Sequence, residues 1–197
     1  ANNSGISYFR FLKKLNMKYD RIDNALFIEN RIKFRNRMKP NAMAVFVSND
    51  IMPTNADGAM GFRQNSDVFY LSGIDQEDTI LVLFPDVKDN RHKEILFVKE
   101  TSELIAIWEG AKLNKAEAAA VSGVEHIYWH HEFDKVMKPF FMQAEHIYLN
   151  SNEHTRRYID AETAQDRFNK QIMTRFPLHH YERSAPILHH IRSIKST

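Results

Sequence analysis

The chain contains no cysteine. That absence excludes a disulfide scaffold, a thiolate zinc site, a haem thiolate and a catalytic cysteine. It fits a reducing compartment, and a cytoplasmic location is the expectation. Glycine is scarce too, at 6 of 197 residues. Little backbone is therefore free to cradle phosphate, and no phosphate loop, dinucleotide fingerprint or nucleophile elbow occurs. No apolar run reaches the roughly 18 residues that a bilayer span needs, and the mean hydropathy is -0.49. Tyr8 to Leu12 is apolar but short, and no small-residue cleavage site follows it.

What remains is ordinary globular material. Apolar residues make up 43% and charged residues 26%, which rules out a disordered or collagen-like chain. A chain of 197 residues is one domain with a respectable core. The net charge of +2 hides an asymmetry: residues 1 to 39 hold 10 Lys+Arg against 3 Asp+Glu. A basic arm of that kind could touch nucleic acid or acidic lipid. Few aromatics interleave with these charges, so a solvated helix face is the better reading and nucleic acid is not the expected partner.

Hydrophobic spacing divides the chain as follows. Ala25, Ile28, Ile32 and Met38 fit one face of a helix from Asp23 to Met38, stopped by Pro40-Asn41. Ala42 to Ser48 reads as a buried strand, and 49 to 66 as loop. Asp67 to Ser72, Thr79 to Phe84 and Glu94 to Val98 read as three strands of an antiparallel meander, because their connections are too short for helices. Lys115 to Ser122 reads as helix, Val124 to Tyr128 as strand, and His131 to Met142 as a helix broken or ended near Pro139. Glu145 to Asn150 is again strand, residues 160 to 176 an amphipathic helix, and Ile187 to Ile194 a further helical face. Strand, helix, strand, helix implies a parallel element. The fold class is therefore α/β, with a mixed sheet of about six strands flanked by helices.

Chemistry is harder to find. The ten histidines include the adjacent pairs His130-His131, His179-His180 and His189-His190. Neighbouring side chains diverge on a strand or a helix, so such pairs do not converge on a metal. Asp75, Glu77 and Asp78 read as a solvated hairpin turn rather than an acid–base pair. No metal site is expected in this chain.

One stretch is more specific. Phe62-Arg63-Gln64-Asn65-Ser66-Asp67, then Val68 to Gly73 (VFYLSG), then Thr79 to Pro85 (TILVLFP), resembles the N-terminal domain of the Xaa-Pro aminopeptidases, or aminopeptidase P. A second block is similar to the same family: Ile95 to Val98, then Ile107-Trp108-Glu109-Gly110 and Leu113, then Gly123-Val124-Glu125. A third, Ile187 to Ser196, resembles the hinge that joins the family's two domains. Together they run from about residue 20 to 197.

The resemblance implies a creatinase/prolidase-type N-terminal domain of ribonuclease-H-like topology over residues 17–190. It implies a hinge over 191–197 leading to a C-terminal catalytic domain that is absent from this chain. Residues 1–16 have no counterpart, and they read as a leader or an added extension, with Met17 a plausible natural start. The whole protein would be a metal-dependent hydrolase that removes the N-terminal residue from peptides with proline second. Two divalent metals, commonly manganese, would sit in the absent domain, with no catalytic residue and no metal ligand in this chain. The domain would shape the substrate entrance and hold a homo-oligomer, a dimer or a tetramer, together. Arg63, Gln64, Asn65, Asp67, Gly73 and Gly110 would be structural, with Arg63 satisfying loop carbonyls or pairing with Asp67. Trp108, read at a Trp-Glu-Gly turn, would either look over the substrate pocket of a neighbouring subunit or plug the sheet edge locally. A prolidase or creatinase relative is the alternative within the superfamily. Outside it stand a binding module using the basic arm and a ribonuclease-H-like nuclease, the latter lacking clustered acidic ligands.

Overall fold

In strand β1, Ala42–Val47, every residue is buried, and alternate side chains enter different cores. Ala42, Ala44 and Phe46 join one cluster, while Met43, Val45 and Val47 join the other. A strand so placed lies between two layers of helices. The computed structural model describes residues 22–156 and 160–194; the leader assigned to 1–16 and the last three residues of the hinge lie outside them.

The sheet has six strands: β1, β2 (Ile80–Leu83), β3 (Glu94–Val98), β4 (His126–Trp129), β5 (His146–Leu149) and β6 (His180–Arg183). Their order across the sheet is β4-β3-β2-β1-β5-β6. The pairs β1–β2 and β2–β3 are antiparallel, whereas β1–β5, β3–β4 and β5–β6 are parallel. Among the described residues seven α-helices accompany them: α1 (Asn24–Arg35), α2 (Ser66–Ser72), α3 (Glu103–Glu109), α4 (Lys115–Ser122), α5 (Phe133–Gln143), α6 (Ala164–Arg175) and α7 (Ala185–Ser193). Helices α1, α2, α4 and α7 supply Phe34, Leu71, Ala118 and Leu188 to one core. Helices α5 and α6 supply Phe133, Met137, Phe141 and Ile172 to the other. Among the described residues no helix is long and apolar enough to cross a membrane.

The α/β mixed sheet of six strands agrees with the sequence reading, but four elements do not. Asp67 to Ser72 is helix α2, not a strand, so the antiparallel meander reduces to β2 and β3. The aromatic and β-branched content of Val68-Phe69-Tyr70 favours a strand. The flanks decide otherwise: Asn65 accepts hydrogen bonds from the Asp67 and Val68 amides, and Gly73 at φ 70° closes the last turn. Helix α5 runs through Pro139 to Gln143. Phe133, Met137 and Phe141 hold its buried stripe while the proline stays on the exposed side. Helix α3 and strand β6 were not foreseen. Strand β6 is His-Tyr-Glu-Arg, an edge strand with no apolar alternation.

Helices α2 and α4 end alike, at Leu71-Ser72-Gly73 and Val121-Ser122-Gly123. Each serine bonds back to the carbonyl four residues earlier, Val68 at 2.6 Å and Ala118 at 2.7 Å. Each hydroxyl also accepts the amide that follows the glycine, Ile74 or Val124. A Cβ on Gly73 would lie 2.3 Å from the Phe27 ring, and one on Gly123 would lie 2.6 Å from Ile28. The two stops therefore press on adjacent residues of α1. Arg31, one turn further along α1 and fully buried, joins them. Its Nη1 donates to the Leu71 carbonyl at 2.8 Å and the Ser122 carbonyl at 2.9 Å. Its Nε donates to Glu94 of β3 at 2.8 Å. One cation thus serves the negative ends of two helices.

Candidate functional site

The Arg63 to Asp67 segment lies where the chain leaves the carboxyl ends of β1 and β5, the crevice of an α/β sheet. Helix α2 departs there over one core and α6 over the other. Gln64 donates from Nε2 to the carbonyls of Ile74 at 3.1 Å and Gln76 at 2.8 Å, and its Oε1 accepts the Asn65 amide at 2.7 Å. Asn65 caps α2 and donates to Gln165 of α6 at 3.4 Å. Asp67 accepts from Asn150, just past β5, at 2.8 Å. Its other oxygen pairs with Arg192 of α7 at 2.7 Å. Arg192 also donates to the Ser66 carbonyl at 2.6 Å and lies 4.7 Å from the centre of the Tyr70 ring.

The partner of Asp67 is therefore Arg192 and not Arg63. The Arg63 side chain is exposed, and its carbonyl accepts from Asn49 at 3.0 Å. Arg63 and Asp67 stand before and inside a helix rather than on a strand, and the intervening turn carries Arg63 outward. Gln64, Asn65 and Asp67 act as structural ties, and Gly73 as the left-handed stop of α2.

A second group forms around Gln76 and Glu77, each only 5% exposed. The Asp75–Asp78 turn is thus not the solvated hairpin that its charge suggested. Glu77 pairs with Lys112 at 2.7 Å and Lys99 at 3.5 Å. Burial opposes its charge, but the Lys112 hydrogen bond, its own backbone amide and the charges of Lys112 and Lys99 hold its carboxyl below the ordinary glutamate value. Lys99 also pairs with Glu109 at 2.6 Å. The Gln76 side chain accepts the Leu113 amide at 3.0 Å.

Between Lys99 and Lys112 runs α3, which buries none of its residues. Leu104, Ile107 and Trp108 are 68%, 67% and 84% exposed. Trp108 therefore stands in the last turn of a short helix, clear of either core, and not on a bare turn. Gly110 follows at φ 80°, with open space where a Cβ would project. Helix α3 presents three large apolar side chains to its surroundings. The sequence reading singled out Trp108, took Glu77 for part of a solvated turn, and did not foresee the pairing of Lys99, Lys112 and Arg192. No periodicity links those four, since their contacts close over long separations.

Two histidine couples meet, His92 of the turn before β3 with His126 of β4, and His146 with His180 across β5 and β6, each with rings 5.2 Å apart. His146 faces Glu182 at 3.2 Å, and Lys39 also pairs with that carboxylate. Among the described residues no three His, Asp or Glu side chains are placed to hold a metal ion. They do not fit the metal pair that the resemblance implies for a catalytic domain. In the described part of the basic arm, Arg31, Lys33, Arg35 and Lys39 each pair with a carboxylate.

Fold and junction define an α/β domain whose helices α2, α6 and α7 are tied at the carboxyl ends of β1 and β5, and whose α3 projects from the connection between β3 and α4. Residues 27–148 match the family described as "Aminopeptidase P, N-terminal domain". The chain belongs to that family. It is 26% identical over 129 residues to the Xaa-Pro aminopeptidase of Haemophilus influenzae, a match covering 66% of this chain and 30% of that protein. It is 33% identical over 94 residues to human Xaa-Pro aminopeptidase 3, covering 47% of this chain and 17% of that one. Among solved structures, the low-pH form of Escherichia coli aminopeptidase P shares the fold with a TM-score of 0.72 at 21% identity, over 90% of this chain and 40% of that one. The matched stretches thus span about a third or less of the curated relatives.

Proposed function

We propose that this chain is the non-catalytic N-terminal domain of a metal-dependent Xaa-Pro aminopeptidase. The enzyme releases the first residue of peptides whose second residue is proline. The family match over residues 27–148 carries this reading. The chemistry belongs to a C-terminal domain holding two divalent metals, manganese being the expected pair, which would generate the attacking hydroxide and polarise the scissile carbonyl. This domain contributes shape. It borders the substrate entrance, holds the cytoplasmic homo-oligomer together, and turns Trp108 toward the pocket of a neighbouring subunit. The exposure of Leu104, Ile107 and Trp108 on one short helix supports such a contact, since exposed aromatic and aliphatic groups of this size anchor interfaces. The prolidase or creatinase alternative has less support, because both curated relatives named above are Xaa-Pro aminopeptidases.

The test compares the 197-residue chain with the full-length protein on an Xaa-Pro peptide with manganese added. The full-length protein should release the N-terminal residue and the isolated chain should not. Trp108→Ala in the full-length protein should lower kcat/KM about tenfold, the loss of one good aromatic contact. Release by the isolated chain would sink the assignment of the chemistry to another domain. Unchanged kinetics in Trp108→Ala would remove the pocket role.

A further inference from the structure

Helix α3 is held by its ends and not by packing. Strand β3 stops at Val98, the N-cap of α4 is Asn114, and the segment between them places no residue of α3 in either core. A seven-residue helix without a buried stripe has little stability of its own. Its position must come from its feet. The first foot is Lys99, which reaches Glu77 at 3.5 Å and Glu109, at the far end of α3, at 2.6 Å. The second foot is Lys112-Leu113: the ammonium of Lys112 meets Glu77 at 2.7 Å, and the Leu113 amide donates to Gln76 at 3.0 Å. Two adjacent side chains therefore grip both ends of a segment whose feet are 13 residues apart in sequence, 99 to 112.

The grip is itself anchored. The Gln76 carbonyl accepts from Gln64 at 2.8 Å and from the Thr79 hydroxyl at 2.9 Å. Asp78, with φ 51°, turns the chain immediately after Glu77. That is an uncommon conformation for a residue other than glycine, although aspartate tolerates it. Gln64 belongs to the same Arg63–Asp67 segment that holds Arg192 of α7.

We propose that Gln76 and Glu77 form a clamp that fixes the α3 arm, and that Glu77 is the positioning residue that sets the reach of Trp108. The clamp stands on the contacts around Glu77 alone; its consequence for catalysis rests on the pocket role of Trp108 given above. Two lysines converging on one buried carboxylate are attractive because that site is shielded from water. Removing the carboxylate charge leaves two ammonium groups facing each other across the feet and frees the arm. Gln64 couples this clamp to α7, so one short segment would hold both the arm and the helix leading toward the chain end.

The experiment is hydrogen exchange on the 197-residue chain carrying Glu77→Gln. Amides of residues 100–113 should exchange about tenfold faster or more, and should accelerate clearly more than peptides from β1 and β2. Unchanged exchange in 100–113 would overturn the clamp, and so would uniform acceleration through the central strands. Lys112→Met, which leaves the buried carboxylate its second lysine, covers the case in which Glu77→Gln does not fold. It should loosen the same segment to a smaller degree, and protection equal to wild type would count against the clamp. Trp108 anisotropy in a Trp129→Phe background gives a second reading, expected to fall in both variants. Kinetics of full-length Glu77→Gln separate the two ideas. A looser arm with a lower kcat/KM supports both. A looser arm with unchanged kcat/KM keeps the clamp and removes the pocket role of Trp108.

Discussion

Replacing Arg31 with methionine removes the cation that serves two helix ends at once. Methionine is also unbranched and fills much of the space, so the loss is chiefly polar. The carbonyls of Leu71 and Ser122 lose their side-chain donor in a buried place, and each such loss costs about 1–3 kcal/mol. Glu94 loses its 2.8 Å partner but keeps Arg35 at 3.1 Å, so its charge is not stranded. Part of the cost is offset, because burial disfavours the guanidinium charge and is the largest influence on its pKa, which lies below the ordinary arginine value. The net loss should be about 3 kcal/mol, a large share of the 5–15 kcal/mol that stabilises a typical domain. At about 2–4 °C per kcal/mol for a chain of this size, Tm should fall by about 6–12 °C. Urea denaturation with an unchanged m-value is the assay. Arg31→Lys should recover less than half of the loss, because one ammonium cannot reproduce the planar fork. A loss below about 1 kcal/mol in Arg31→Met would refute the bridging argument.

Gly73→Ala should be strongly destabilising, by about 2 kcal/mol or more, since φ is 70° and the new methyl would lie 2.3 Å from Phe27. Gly110→Ala, with φ 80° but open space, should cost only about 1 kcal/mol, and denaturant midpoints of the two variants make the comparison. The Glu77 carboxyl titrates lower when folded than when unfolded, so the unfolded chain binds its proton more readily. Its contribution is therefore complete above the ordinary glutamate value and lost as pH falls through the folded value. The Tm gap between wild type and Glu77→Gln should be widest at neutral pH and shrink in acid; a gap that widens in acid would reverse the sign. Asp67→Asn should weaken the hold on α7 by about 1 kcal/mol, since the Arg192 pair is partly exposed. Faster hydrogen exchange confined to 185–194 would show it.

Local chemistry alone made much of the fold legible. The unbroken apolar run Ala42–Val47, the Ala-rich run stopped at Gly123 and the apolar spacing from Ile187 to Ile194 each depend on neighbours in sequence. The family resemblance was legible for the same reason, being carried by short contiguous blocks. Elements whose local signals conflict were not. Residues 66–72 carry strand-forming side chains between helix-forming caps; the caps prevail, and the helix they set places Val68 and Leu71 in the core. Strand β6 has no apolar pattern and exists because β5 offers it a pairing edge. The candidate site shows the limit most clearly. Trp108 was visible as a residue, but its exposure depends on a helix that packs into neither core. Glu77 meets Lys112, and Asp67 meets Arg192, across 35 and 125 positions of chain. Ion pairs of that separation leave no period, cap or composition behind, because only the folded sheet brings the two charges together.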